Sequence, residues 1–176
     1  YEITYGDWSS DVCSSDLKAE LIAPYMRGES DPNLLGELGL FEKTEGQETR
    51  ARQFLEAAVA GKASRADTYL ELARYRYADA LAKPGAEGGR LSAEQTTAIT
   101  SLLYPARRQP PHLAGLYDLL GDTWIRSAVT PSKEDVGALV DGVRLFSGRL
   151  KLVFQTAVLA ASAGMLEAAH SIVDYG

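Results

Sequence analysis

Apolar residues recur along this chain at helical rather than alternating spacing. The clearest case is RADTYLELARYRYADALA, residues 65–82, in which Tyr69, Leu72, Ala73, Arg76 and Ala80 fall at i, i+3, i+4, i+7 and i+11. Arg76 alone interrupts the stripe, and Tyr77 lies beside it. That period belongs to an amphipathic helix. The same reading predicts a helix from Pro32 to Gly46, with Asp31 as N-cap and proline at the first helical position. ETRARQFLEAAVA follows, stopped by Gly61. After residues 65–82, the segment KPGAEGGR (83–90) reads as a flexible surface loop, rich in glycine. Ser92 and Gln95 form a capping-box signature that opens SAEQTTAITSLLYPARR, which ends before Pro110-Pro111. HLAGLYDLLGDTWIRSAV (112–129) puts Leu116, Tyr117, Leu120 and Trp124 on one side. Ser132 opens a helix running to Phe146, and two more span 150–162 and 166–175, with Gly164 between them. A shorter piece at 17–27 should end or kink at Pro24. The expected class is all-α.

Eight helical segments joined mostly by short turns invite a test for an internal repeat. Starting a period at Pro32 places Leu35, Leu38, Gly39, Gly46, Ala51, Leu55 and Ala58 at repeat positions 4, 7, 8, 15, 20, 24 and 27. Starting at Ala66 gives Tyr69, Leu72 and Ala73 at 4, 7 and 8. Starting at Ala114 gives Tyr117, Leu120, Gly121 and Trp124 at 4, 7, 8 and 11. Starting at Leu150 gives Val153, Ala157, Gly164, Ala169 and Val173 at 4, 8, 15, 20 and 24. Glu42, Arg76 and Thr156 depart from the pattern at positions 11, 11 and 7. Small residues at 8 and 20 let paired helices cross closely, while large ones at 4, 7 and 24 fill the space between pairs. On these residues the chain, from about 32 to 176, resembles tetratricopeptide-repeat (TPR) proteins. The resemblance implies an α-α superhelix, a TPR-like solenoid of about four degenerate helix pairs, with longer connections at 83–90 and 129–135.

The opening residues change the bulk picture. Asp7–Leu17, DWSSDVCSSDL, has neither helical nor strand periodicity, and back-translated it resembles a short-read sequencing adapter. Residues 1–17 are therefore set apart as an artefactual or disordered segment, with the repeat domain spanning 18–176. The chain carries 18 basic and 24 acidic residues, a net charge of −6. Four of those acids (Glu2, Asp7, Asp11, Asp16) fall in 1–17, which leaves 20 acids against 18 bases, or −2. That balance implies no charged partner, and nucleic acid is not expected. The lone cysteine, Cys13, lies in the same segment, so the remainder can form no disulfide or thiolate metal site. No apolar run nears the roughly 20 residues of a membrane span. With the natural start taken as missing, the compartment stays open between cytoplasm and periplasm.

Catalytic signatures are sparse. His112 and His170 belong to no HExxH, no Gly-x-Ser-x-Gly elbow occurs, and Gly85, Gly88 and Gly89 lack the Lys-Ser/Thr ending of a phosphate loop. No catalytic residue, metal site or cofactor is assigned. His170 reads as a surface pair with Glu167. The Arg107-Arg108 pair reads as serving a helix end. The resemblance implies that the first helix of each pair lines a concave face, with repeat positions 5, 9 and 12 directed into it. Those positions hold Leu70, Arg74 and Tyr77 in the second repeat and Asp118, Asp122 and Ile125 in the third, with Arg126 following; the candidate partner-binding residues are Arg74, Tyr77, Asp118, Asp122 and Arg126. Mixed charge beside an aromatic suits a peptide segment or a neighbouring protein domain. The expectation is a non-catalytic protein–protein or interdomain scaffold, a fragment of a longer bacterial protein. The rival expectation is a helical-bundle enzyme or ligand-binding domain with a pocket near the 83–90 loop.

Overall fold

The computed structural model describes residues 21–28 and 30–175. The adapter-like segment lies outside the described residues. The protein is all-α: helices account for nearly all regular structure, and two isolated bridges, Ala86–Arg90 and Leu91–Ser127, are the β pairing among the described residues. The chain divides into two compact units, one ending at Ala63 and one beginning at Ser64.

In the first unit, α1 is described over residues 21–26 and runs through Pro24 without ending there. The chain leaves it at Gly28, φ +87°. A helical pair follows, α2 (Pro32–Thr44) and α3 (Glu48–Ala60). Asp31 caps α2 through its carboxylate, which accepts from Leu34 N at 3.1 Å, with Pro32 at the first position. The pair closes tightly because Gly39 leaves room for Leu55. A Cβ on Gly39 would stand 2.7 Å from Leu55 Cγ. Leu38, Ala51, Leu55 and Ala58 are buried, as the period begun at Pro32 requires. Glu42, a departure from that pattern, is buried as well, with Arg50 Nη1 3.9 Å from its carboxylate. Phe41 beside it fills the apolar role.

The second unit holds α4 (Ala66–Ala82), a short 3-10 turn (Glu87–Gly89), α5 (Ala93–Ala106), α6 (Ala114–Arg126), α7 (Lys133–Leu145), α8 (Leu150–Ser162) and α9 (Leu166–Tyr175). Capping boxes fix two of these starts. Ser92 and Gln95 open α5, and Ser132 and Asp135 open α7. Each helix packs on the next in sequence, and α6 also packs on α4 and on α8. The stripe expected in α4 is buried at Tyr69, Leu72, Ala73 and Ala80, while Arg76 is exposed. In α6, Leu116, Tyr117, Leu120 and Trp124 are buried together.

Helix α7 approaches α6 at Gly142, where an added Cβ would lie 2.4 Å from the Tyr117 ring. Gly121, at repeat position 8, instead faces Gln155 of α8. The 83–90 segment, expected to be flexible, is tied down by one side chain. Gln95 Oε1 accepts from Gly85 N at 2.9 Å, and Gln95 Nε2 donates to Lys83 O at 2.8 Å. Leu91 N donates to Arg126 O, and Leu91 O accepts from Ala128 N, both at 2.8 Å, so the end of this segment joins the end of α6.

The last pair departs from its expected register. Thr156 is fully buried and satisfies its hydroxyl on Leu152 O at 2.7 Å, which lets a polar residue hold a core position. Val173, assigned to a space-filling position, is 58% exposed, and Ile172 is buried in its place. No described element covers that side of α9.

Candidate functional site

The five residues singled out from the sequence sit on α4 and α6, and three of them converge. Tyr77 of α4 is half-buried, with Asp122 and Arg126 of α6 and Lys151 of α8 acting on its hydroxyl. Burial raises the Tyr77 pKa above the ordinary phenol value, and Asp122 raises it further. Arg126, which also hydrogen-bonds the hydroxyl, opposes the shift together with Lys151. Tyr77 is therefore a neutral donor and acceptor over the whole physiological range.

Asp122 is the hub. Its carboxylate takes Lys151 Nζ at 2.7 Å and Gln155 Nε2 at 2.6 Å, both from α8. One turn earlier on α6, Asp118 receives a forked pair from Arg149, with Nε at 3.1 Å from Oδ1 and Nη2 on Oδ2. Arg74 is held by Glu71 on its own helix and lies against Gly115 of α6, where a Cβ would come within 3.0 Å of its guanidinium. Arg74 therefore stands apart from the Tyr77–Asp122–Arg126 cluster. The result is a ladder of alternating charge across three helices. It is built because α6 presents Asp118 and Asp122 at i and i+4, and the start of α8 answers with Arg149, Lys151 and Gln155. Those three residues were missed in the sequence. Their signal, a basic pair at the mouth of a helix, becomes legible only once α8 is known to lie on α6.

Other candidates resolve differently. His170 pairs with Asp174, Nε2 to Oδ2 at 3.4 Å, rather than with Glu167, and both partners are exposed. Arg107 reaches across to Asp141 at 3.0 Å instead of serving its own helix end. With Arg108, His112, Tyr117, Arg144 and Leu145 these two line an open hollow of about 500 Å³. A second groove of about 410 Å³ runs between α7 and α9, lined by Val140, Val143, Ile172 and Tyr175 among others. Residues 83–90 line neither. Among the described residues no group of three or more His, Cys, Asp or Glu side chains is placed to hold a metal ion, and no helix is long and apolar enough to cross a membrane.

The chain matches no family model and no curated protein. What can be said of its function therefore rests on the ladder itself. Polar groups of both signs and one neutral phenol share a surface built on three helices. Such a surface can hydrogen-bond extended backbone and pair with side chains of either charge.

Proposed function

We propose that this chain is a non-catalytic scaffold of stacked helix hairpins, similar to tetratricopeptide repeats. In this reading the α4–α6–α8 face grips a peptide segment or a neighbouring protein domain. One observation carries it: Tyr77 and Asp122, chosen from repeat spacing, meet with the adjoining Arg126 on one face, where α6 packs against both α4 and α8. Tyr77 supplies a flat apolar contact with a polar tip, Arg126 binds carboxylate or carbonyl oxygen, and Asp122 accepts from amide or basic side chains. The order of packing supports the reading too, since repeat stacks bury each pair against its neighbours.

The test is selection of linear peptides from a displayed library on the full chain, followed by affinity measurement on Tyr77→Ala and Arg126→Ala variants. Enriched peptides should lose about tenfold or more in affinity, the effect of removing one contact worth about 1.4 kcal/mol. Peptides that bind both variants as tightly as the parent, or a library that yields no binder, would remove the ladder from consideration as a binding face.

A further inference from the structure

Three arginines in the second unit share a hollow that holds too little negative charge to balance them. Arg107 and Arg108 come directly after α5, and Asp141 and Arg144 lie in the last turns of α7. With His112 and Tyr117 they line the open hollow of about 500 Å³. His112 Nδ1 donates to the Arg107 carbonyl at 3.2 Å, which holds the connection between α5 and α6 at its edge. Asp141 is the one carboxylate among the residues that line it, so the three guanidinium groups leave a surplus of two positive charges. The chain as a whole is acidic, so this surplus is local.

Most of the hydrogen-bonding capacity here is unspent. Arg107 uses Nη1 on Asp141 at 3.0 Å, while its Nε meets no acceptor. Arg144 Nη1 stays 4.0 Å from the same carboxylate, and Arg108 makes no ion pair or side-chain hydrogen bond among the described residues. Nor does any of the three side chains donate to a carbonyl at these helix ends, the ordinary use of arginine there. Tyr117 adds a neutral donor. It is 2% exposed, its ring is held against Gly142 and Phe146, and its hydroxyl makes no hydrogen bond among the described residues. A buried hydroxyl left so forfeits a bond that a ligand oxygen in the hollow would restore. Burial raises the Tyr117 pKa; Arg107 opposes the shift and Asp141 adds to it, so the phenol keeps the proton it would donate.

We propose that this hollow binds a phosphate monoester dianion, gripped by Arg107, Arg108 and Arg144 and accepting from the Tyr117 hydroxyl. A carboxylate carries one charge and is satisfied by a single guanidinium fork. Three guanidinium groups and a phenol, brought together from α5, α6 and α7, suit the two charges and the tetrahedrally disposed oxygens of a phosphate. Asp141 is the resident competitor. Its side chain is 51% exposed and is shared between Arg107 and Arg144, so an incoming dianion displaces only a weak pair. The hollow is larger than a phosphate group and leaves room for what bears it, a small phosphate ester or a phosphorylated side chain. It shares no residue with the ladder, so the two sites stand or fall separately.

The test is titration of inorganic phosphate into the full chain at low ionic strength, followed by amide NMR. Resonances of residues 107–112 and 141–145 should shift saturably, with a Kd of about 1 mM or tighter. Arg108→Gln and Arg144→Gln should each weaken binding about tenfold. Tyr117→Phe should weaken it about threefold while the thermal midpoint holds, because the lost hydroxyl had no partner in the chain. Asp141→Asn should tighten binding, since it removes the competing carboxylate. A glycine-flanked phosphoserine peptide serves as the second probe. Affinity about tenfold above that for phosphate assigns the site to a phosphorylated protein side chain, and affinity no higher assigns it to a small phosphate ester. No saturable shift by about 10 mM phosphate overturns the proposal. So does parental affinity in both arginine variants, or weaker binding by Asp141→Asn.

Discussion

The contact between Gly142 of α7 and Tyr117 of α6 makes the sharpest prediction about what holds the second unit together. A methyl group on residue 142 would lie 2.4, 2.6 and 2.9 Å from Tyr117 Cδ1, Cγ and Cβ. Carbon atoms prefer about 3.5–4.0 Å, so the helices would have to part by about 1 Å. The ring cannot yield easily. It is 2% exposed and packs against Phe146 with centroids 5.8 Å apart. Overpacking of this kind costs about 1–3 kcal/mol, and a rigid ring met by three contacts belongs at the upper end. Alanine for glycine inside a helix returns about 0.8–1.0 kcal/mol. Gly142→Ala should therefore destabilise by about 2 kcal/mol net of that gain.

Gly137, five residues earlier on the same helix, is the internal control. It is exposed, and a Cβ there meets nothing within 4 Å. Gly137→Ala should stabilise by about 0.8–1.0 kcal/mol from propensity alone. Guanidinium denaturation followed by helical circular dichroism separates the two, which should differ by about 3 kcal/mol in opposite directions around the parent. A Gly142→Ala variant as stable as the parent or more so would show that α6 and α7 do not cross at this point.

Three further outcomes follow from the same packing. Trp124 is 8% exposed and its indole N–H donates to Tyr104 Oη at 3.2 Å, so Trp124→Ala should lose about 3–5 kcal/mol in the same denaturation assay; a loss under about 1 kcal/mol would deny the ring a core role. Gln95→Ala removes an acceptor shared by Ser92 N and Gly85 N and a donor to Lys83 O, so it should cost about 1–2 kcal/mol and open residues 83–90 to limited proteolysis. Burial and the hydrogen bond to Asp135 raise the Tyr104 pKa above the ordinary phenol value. The folded state thus keeps this proton longer than the unfolded chain, so its contribution is intact below about pH 10 and fades as pH rises further. Tyr104→Phe should flatten the fall in denaturation midpoint between about pH 9 and pH 11, and an unchanged slope would remove Tyr104 as its source.

Much of the fold is legible in the sequence because its helix boundaries are set locally. Asp31-Pro32, Ser92 with Gln95, and Ser132 with Asp135 each declare a helix start through short-range hydrogen bonds, and each start occurs where those residues place it. Burial follows the 3.6-residue stripe in α4 and α6 for the same reason. What the sequence conceals depends on how far one helix slides along another. The Arg149, Lys151 and Gln155 partners of the ladder, the Gly142–Tyr117 crossing and the reach of Arg107 to Asp141 are all set by stacking offset, which leaves no periodic mark. Ile172 rather than Val173 is buried on α9 because Ile172 faces the α7 side, against Val140 and Val143, while Val173 stays exposed.

The ladder and the core therefore do different jobs. Asp118 with Arg149 and Asp122 with Lys151 are partly exposed pairs, and such pairs contribute about 0.2–1 kcal/mol each. They cannot by themselves hold α6 on α8. That falls to the burial of apolar side chains along the two helices, Leu120 on α6 and Leu152 on α8 among them, a fully buried leucine being worth about 1.5–3 kcal/mol. Charge at the junctions instead fixes order, since Asp118 and Asp122 accept a helix opening with Arg149 and Lys151 and would repel one opening with acids. A surface that orders the stack while adding little to its stability can be altered without unfolding the chain. Substitution of Asp118 should therefore cost little stability, whereas substitution of Asp122 should cost more, because it also leaves the buried Gln155 amide without its acceptor.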